Sequence, residues 1–338
     1  MDPLILYTVF ALGGIGFVLG AGLSYAARVF TVEQNPLVEE IAGLLPGANC
    51  GGCGYPGCSG YADAVVLKGA PPNLCAPGGS AVAQKIGKLL GLESVASVRK
   101  VAFLHCAGSK DRAIDKYHYY GVEDCRMAVA FGGGPKACEY GCMGFGSCVL
   151  ECKFDALHMA LDGLPVVDRI KCTGCGACVR NCPKRLFSLL PDATIIYLAC
   201  SSHDKGKAVK DVCSVGCISC GICAKVTTGG AVAMVDNLPS VKYEESPNLI
   251  LAHYKCPTKS YIDIAPKRPH LTIDPRCKGH GKCTEVCPVK GCITGEPGQP
   301  HHIDPYTCIG CGLCLDVCPE KAIRVVGAMG YVGMDMSR

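Results

Sequence analysis

Cysteine is the residue type in this chain best placed to do chemistry, and its spacing indicates which chemistry. From Cys138 the chain reads Cys138-x3-Cys142-x5-Cys148-x3-Cys152, then Cys172-x2-Cys175-x2-Cys178-x3-Cys182-Pro183. The second half is the bacterial iron–sulfur run, in which three closely spaced thiolates hold one cluster and the fourth reaches a neighbouring cluster. The first half is a looser copy. Crossed pairing gives two four-thiolate sites: Cys138, Cys142 and Cys148 with Cys182, and Cys172, Cys175 and Cys178 with Cys152. No thiolate in the stretch is left over.

Three further stretches repeat the theme. Cys50-x2-Cys53-x4-Cys58-x16-Cys75 supplies the four thiolates one [4Fe-4S] cluster needs, in a glycine-rich segment able to wrap it. Zinc also suits four thiolates, but uneven spacing and neighbouring ferredoxin runs favour iron. Cys217-x2-Cys220-x2-Cys223 opens another run, yet Thr227 and Thr228 stand where a cysteine and proline should follow. Downstream, Cys256-Pro257 closes a run whose earlier ligand positions are Ser246, Leu249 and Ala252. These losses all fall on one cluster, so this module is expected to keep a single site, Cys217, Cys220, Cys223 and Cys256. Cys213 precedes Cys217 as Cys138 precedes Cys142 and is an alternative fourth ligand there.

The last module reads Cys277-x2-His280-x2-Cys283-x3-Cys287-Pro288, then Cys308-x2-Cys311-x2-Cys314-x3-Cys318-Pro319. One set is complete: Cys308, Cys311 and Cys314 with Cys287. The other has Cys277, Cys283 and Cys318, with His280 in the place of a thiolate. Three outcomes stay open: His280 ligates, Cys292 swings in, or the site holds a three-iron cluster. Spacing favours His280, since imidazole replaces thiolate on iron in known centres. His270, His301 and His302 have no such spacing and read as surface residues. The isolated Cys106 and Cys125 read as small buried hydrophobes, and Cys200 has no assignment. About six clusters result, using 23 of the 28 cysteines.

Composition agrees. Twenty-eight cysteines in 338 residues would suit disulfides in an oxidising compartment, but clustered Cys-x2-Cys pairs point to metal in a reducing one. The formal charge of +4 counts cysteines as neutral. Thiolate-held clusters are anionic, so it is no argument for nucleic-acid binding. There is no dinucleotide fingerprint, no Ser-His-Asp ordering and no paired-carboxylate motif, so neither flavin nor NAD is expected in this chain. Phe131-Gly-Gly-Gly-Pro135 lacks the Lys-Ser/Thr ending of a phosphate loop and reads as a turn. A row of one-electron centres without a substrate pocket argues for electron conduction.

These thiolates must be positioned by short elements behind an anchor. Pro3 to Ala27 carries no charge and, at helical rise, spans about 37 Å, enough to cross a bilayer. Asp2 argues against a cleavable signal peptide. Arg28 on the carboxyl side places the remainder in the cytoplasm. Gly16-x3-Gly20 offers a face for another helix. Glu33 to Leu45 reads as a short amphipathic segment, Ser59 to Lys68 and residues 80–91 as helices, and VASVRKVAFLHC as a strand ending at Cys106. The expected fold is α+β, with tandem bacterial-ferredoxin-like modules. Its parts are a transmembrane anchor (1–30), a four-cysteine domain (31–92), linker and two-cluster module (93–195), a degenerate one-cluster module (196–265) and a C-terminal two-cluster module (266–338).

The motif from Cys50 to Cys75, lying between an apolar N-terminal helix and ferredoxin runs that include ACEYGCMGFGSCVLEC, resembles the B subunits of Rnf complexes. The resemblance covers most of the chain, loosely to about residue 257. It implies an electron-transfer subunit of a membrane ferredoxin:NAD+ oxidoreductase that exports Na+ or H+. Soluble ferredoxin would be the donor, and a flavin- and NAD-binding subunit and membrane subunits the partners. The loop Ser201 to Lys210 and the basic run Lys255 to His270 would then suit an acidic ferredoxin. Two alternatives compete: a membrane-tethered reductase of an iron–sulfur redox sensor, and a cluster scaffold. A corrinoid-associated role would need a cobalamin domain, of which the sequence shows no sign.

Overall fold

The computed structural model describes residues 3–30, 35–92, 98–265 and 268–327. Glu33 and Gln34 of the expected amphipathic segment, residues 95–97 of the expected strand, Pro266 and Lys267 of the basic run, and the tail from 328 lie outside the described residues.

Helix α1 (Pro3–Val29) carries a single charge, Arg28 in its last turn. Its stretch Tyr7–Val29 is long and apolar enough to cross a membrane, and none of it is buried against the other described residues. Phe10, Phe17 and Leu23 each leave more than two-thirds of their surface uncovered, a face that only lipid or another protein would cover.

Three helices follow: α2 (Pro36–Leu44), α3 (Gly57–Lys68) and α4 (Gly79–Leu90). Asn35 caps α2 through its side chain, with Pro36 at the first helical position, where a missing N–H costs nothing. Ile41, Tyr61 and Ile86, one from each helix, are fully buried together. The Tyr61 hydroxyl donates to the Pro71 carbonyl at 2.6 Å and accepts from the Leu74 amide at 3.2 Å. This fixes the chain leading into Cys75.

The rest repeats one plan three times. The first unit runs β1 (Lys100–Leu104), α5 (Cys125–Ala130), α6 (Ser147–Leu150), β2 (Leu157–Met159), β3 (Pro165–Val167), α7 (Ala177–Asn181) and β4 (Phe187–Pro191). The second runs β5 (Ile196–Leu198), α8 (Gly206–Lys210), α9 (Ile222–Val226), β6 (Val232–Val235), β7 (Leu238–Val241), α10 (Ile250–Lys255) and β8 (Tyr261–Asp263). The third runs β9 (His270–Ile273), α11 (Lys282–Val286), β10 (Ile293–Thr294), β11 (His302–Ile303), α12 (Leu313–Val317) and β12 (Ile323–Val326). In each unit the outer strands pair antiparallel (β1 with β4, β5 with β8, β9 with β12) and the inner two form a hairpin. This α+β arrangement is that of tandem ferredoxin-like modules.

The strands are too short to stand alone; packing and bound groups must hold them. One core joins the first two units, including Val101, Leu186, Phe187, Leu198 and Tyr261. A separate core of Leu271, Ile293, Ile303 and Ile323 serves the third. Units one and two differ from the third by insertions between first strand and first cluster helix, residues 105–146 and 199–221. The insertions pair with each other. The amide of Ala107 donates to the Ala199 carbonyl at 3.0 Å, Ile114 to Val212 at 3.1 Å and Ser214 to Arg112 at 2.8 Å.

Candidate metal centres

The thiols are positioned by a turn that recurs. After Cys172 the backbone passes through Gly174 (φ 70°) and Gly176 (φ 72°) before α7 begins, so Cys172, Cys175 and Cys178 face one point. A side chain at either glycine would strain this wrap. The fourth cysteine of a run is fixed differently: its sulfur accepts from the amide four residues on. Ala156 donates to Cys152, Leu186 to Cys182, Ser260 to Cys256 and Ala322 to Cys318, each at 3.4 Å. Such bonds hold each sulfur in one orientation.

Four hollows of similar size, each counted with its open side, carry these groups. One of about 340 Å³ is lined by Cys152, Cys172, Cys175 and Cys178, the expected crossed set. One of about 310 Å³ is lined by Cys287, Cys308, Cys311 and Cys314, again the expected set, with Cys292 beside them. One of about 290 Å³ is lined by Cys277, His280, Cys283 and Cys318. The fourth, about 390 Å³, holds Cys125, Cys142, Cys148 and Cys182. Two further sets are grouped electrostatically. Burial, and then the thiols of Cys58, Cys50 and Cys53, raise the pKa of Cys75. Burial, and then Cys200, Cys223 and Cys256, push the Cys217 thiol up to about 12, and Cys220 and Cys256 act on Cys223.

The donor set fits a cluster better than a single ion. Four thiolates about 2.3 Å from zinc would stand only about 4 Å from one another. Among the described residues no three His, Cys, Asp or Glu side chains gather tightly enough to hold one ion. Instead the thiols ring hollows. Burial raises the Cys148 and Cys178 thiols to about 12, so they keep their protons near neutral pH unless a cationic group replaces them.

The structure departs from the sequence expectation at five places. Cys138, expected with Cys142 and Cys148, lines a different cavity with Cys106, Cys200 and Cys213. Cys125, expected to be a buried hydrophobe, takes its place beside Cys142. It is held there by Ser147, whose hydroxyl accepts from the Cys125 amide at 2.7 Å and donates to Asp124 at 3.1 Å. Cys213 sits in the Cys106 cavity, away from the Cys217 set it was weighed for. Cys292 faces the complete set of the third unit, away from His280, so it is not placed to complete that site. His301, expected at the surface, is 7% exposed and lines the His280 cavity. Its Nδ1 lies 3.2 Å from the Gln299 carbonyl. A proton on Nδ1 would leave Nε2 as a bare metal-binding nitrogen. No spacing rule could have found His301, because β11 brings it in from across the hairpin.

In the second unit, positions expected to lack ligands are packed instead. Where the second unit would carry a second cluster, Leu249 (3% exposed), Ala252 and Tyr243 are buried in the core. Thr227 turns its hydroxyl back onto the Cys223 carbonyl at 2.8 Å.

The sites also follow one another in space. Arg180 donates to the Cys50 carbonyl at 2.9 Å and to the Cys175 carbonyl at 3.0 Å, bridging the four-cysteine segment to the first unit. Cys178 feels the charge of Cys148 in the next hollow. Asn248 of the second unit donates to the Cys311 carbonyl of the third at 3.2 Å.

Comparison with known proteins agrees with this architecture. The family described as "Putative Fe-S cluster" matches residues 45–77, and "4Fe-4S binding domain" matches 165–185 and 301–324. The B subunit of an ion-translocating oxidoreductase complex from Methanosarcina acetivorans is 42% identical over 77% of this chain and 98% of its own length. The B subunit of a Na+-translocating ferredoxin:NAD+ oxidoreductase complex from Acetobacterium woodii is 39% identical over 75% of this chain and 76% of its own. That of a proton-translocating complex from Clostridium ljungdahlii is 43% identical over 72% and 87%.

Proposed function

Because this chain belongs to the family of B subunits of ion-translocating oxidoreductase complexes, we propose that it is the multi-cluster electron carrier of a ferredoxin:NAD+ oxidoreductase. It receives electrons from reduced soluble ferredoxin and relays them to partner subunits. Flavin and NAD chemistry and ion movement lie with those partners. The observation that carries this reading is the repetition of thiol-lined sites along one chain. Bound clusters would supply one-electron redox centres.

The proposed ligand sets are Cys50, Cys53, Cys58 and Cys75; Cys152, Cys172, Cys175 and Cys178; Cys125, Cys142, Cys148 and Cys182; Cys217, Cys220, Cys223 and Cys256; and Cys287, Cys308, Cys311 and Cys314. In the last site Cys277, Cys283 and Cys318 are joined by a histidine, His280 by spacing or His301 by burial. Buried apolar side chains packed beside these sets keep the thiolates in place.

Helix α1 anchors the chain in the membrane, and Arg28 at its carboxyl end puts the iron–sulfur part on the cytoplasmic side. Ferredoxin docks through exposed lysines of the second insertion, Lys205, Lys207 and Lys210. In the later basic run Arg268 is less available, since its guanidinium pairs with Asp263 at 2.6 Å. Relatives of nearly equal identity are named for sodium and for protons, so the ion is chosen by partner subunits.

The test mixes anaerobically purified full-length protein with reduced ferredoxin and follows bleaching of its visible iron–sulfur absorption. Electron transfer, slowed at low salt when Lys205, Lys207 and Lys210 become glutamine, is expected. Failure of reduced ferredoxin to reduce the protein would overturn the proposal.

A further inference from the structure

We propose that Cys106, Cys138, Cys200 and Cys213 hold an additional [4Fe-4S] cluster that links the first and second ferredoxin-like units. The inference rests on the iron–sulfur reading of the other sites and adds one that no ferredoxin run encodes. Its ligands come from two insertions: Cys106 follows β1, Cys138 precedes α6, and Cys200 and Cys213 lie between β5 and α9.

Four observations support it. First, the four cysteines line a single hollow of about 390 Å³, counted with its open side, the same size as the Cys125 site. Second, a glycine lies beside two of the sulfurs: a β-carbon on Gly108 would already touch those of Cys213 and Cys106, at 3.6 Å and 3.7 Å.

Third, the sulfurs already receive amide hydrogen bonds as ligands do. Cys142 donates to Cys106 at 3.4 Å, and Cys217 and Ser202 donate to Cys200 at 3.3 Å and 3.5 Å. Fourth, a cation is buried beside them. The side chain of Lys136 is 7% exposed, and its charge acts on Cys106. It pairs with Asp115, 3.3 Å away and half exposed, and its ammonium also donates to the Ala113 carbonyl at 3.2 Å. A buried lysine is costly unless negative charge compensates it, and a thiolate-held cluster adds to that charge from the buried side.

Position gives the site its role. Two of the three amides bonded to its sulfurs belong to Cys142 and Cys217, themselves ligands of the flanking sites. Without this cluster the succession of sites is interrupted between the first unit and the second. With it, each transfer oxidises one site by one electron and reduces its neighbour by one, and no proton or co-reactant is needed. The assignment leaves Cys292 as the one cysteine outside a proposed ligand set.

Native mass spectrometry of the anaerobic full-length protein tests this directly, with iron and sulfide assays beside it. Wild type should carry seven cluster masses and about 28 iron atoms. Cys106→Ala/Cys213→Ala should lose one cluster and keep the others, whereas Cys292→Ala should keep all seven. Cys200→Ser, which retains an oxygen ligand, guards against misfolding of the double variant; it should keep the other signals and alter one EPR signal. Six clusters in wild type, unchanged in the variants, or zinc at this site, would overturn the proposal. A wild type with no clusters at all would instead remove the reading on which it rests.

Discussion

The docking of the four-cysteine segment on the first unit depends on the absence of one methyl group. A β-carbon on Gly52 would stand 2.7 Å from the Cys175 carbonyl oxygen and 3.1 Å from its Cα. Both are backbone atoms and cannot rotate aside. Contact falls short of the ordinary by about half an ångström, so Gly52→Ala must push the two segments apart. Overpacking of this kind costs about 1–3 kcal/mol, enough to shift the ratio of docked to undocked forms about 5- to 150-fold. Gly43→Ala, where nothing lies within 4 Å, is the control. The assay is spin–spin broadening in the EPR spectrum of the fully reduced protein, together with hydrogen exchange of residues 48–54. Gly52→Ala should weaken the coupling between two clusters and speed exchange there, with iron content unchanged. Unchanged coupling and exchange would refute the reasoning, because the contact would then carry no constraint.

Other perturbations report on single sites. The Tyr261 hydroxyl is buried without a hydrogen-bond partner among the described residues, and the Cys223 thiol acts on it. Once Cys223 is a ligand thiolate, that hydroxyl is available to donate to it. Tyr261→Phe should lower the potential of this cluster by on the order of tens of millivolts in redox titration. An unmoved potential would remove the bond. Leu186→Ala, at a side chain only 1% exposed, should cost about 2–5 kcal/mol and reduce resistance to anaerobic denaturant; a change under half that would mean the clusters alone hold the unit. His301→Ala should shift the EPR signal of the histidine-containing site if His301 ligates, whereas a shift on His280→Ala alone assigns the bond to spacing.

How much of this was legible follows from which constraints are local. The ferredoxin runs were readable because Cys172, Cys175, Cys178 and their turn glycines lie within one loop, and the fourth ligand follows at a fixed interval. The absence of a second four-thiol set in the second unit was readable for the same reason: Thr227, Leu249 and Ala252 stand at positions the spacing itself names. What spacing could not carry was partner choice across insertions. Cys138 keeps a run-like interval to Cys142, yet residues 105–146 fold back on residues 199–221 and take its thiol to another cavity. Cys125, far from its site in sequence, reaches it through the Asp124 and Ser147 hydrogen bonds. The long apolar helix α1 was legible from its uncharged run, since length and composition alone define it.

Iron and acid-labile sulfide per chain, with zinc measured in the same sample of anaerobically purified protein, tests the central claim most directly. Equal iron and sulfide of at least about 24 per chain, and little zinc, is the expected result. Stoichiometric zinc, or disulfide-bonded cysteines with no iron, would contradict it.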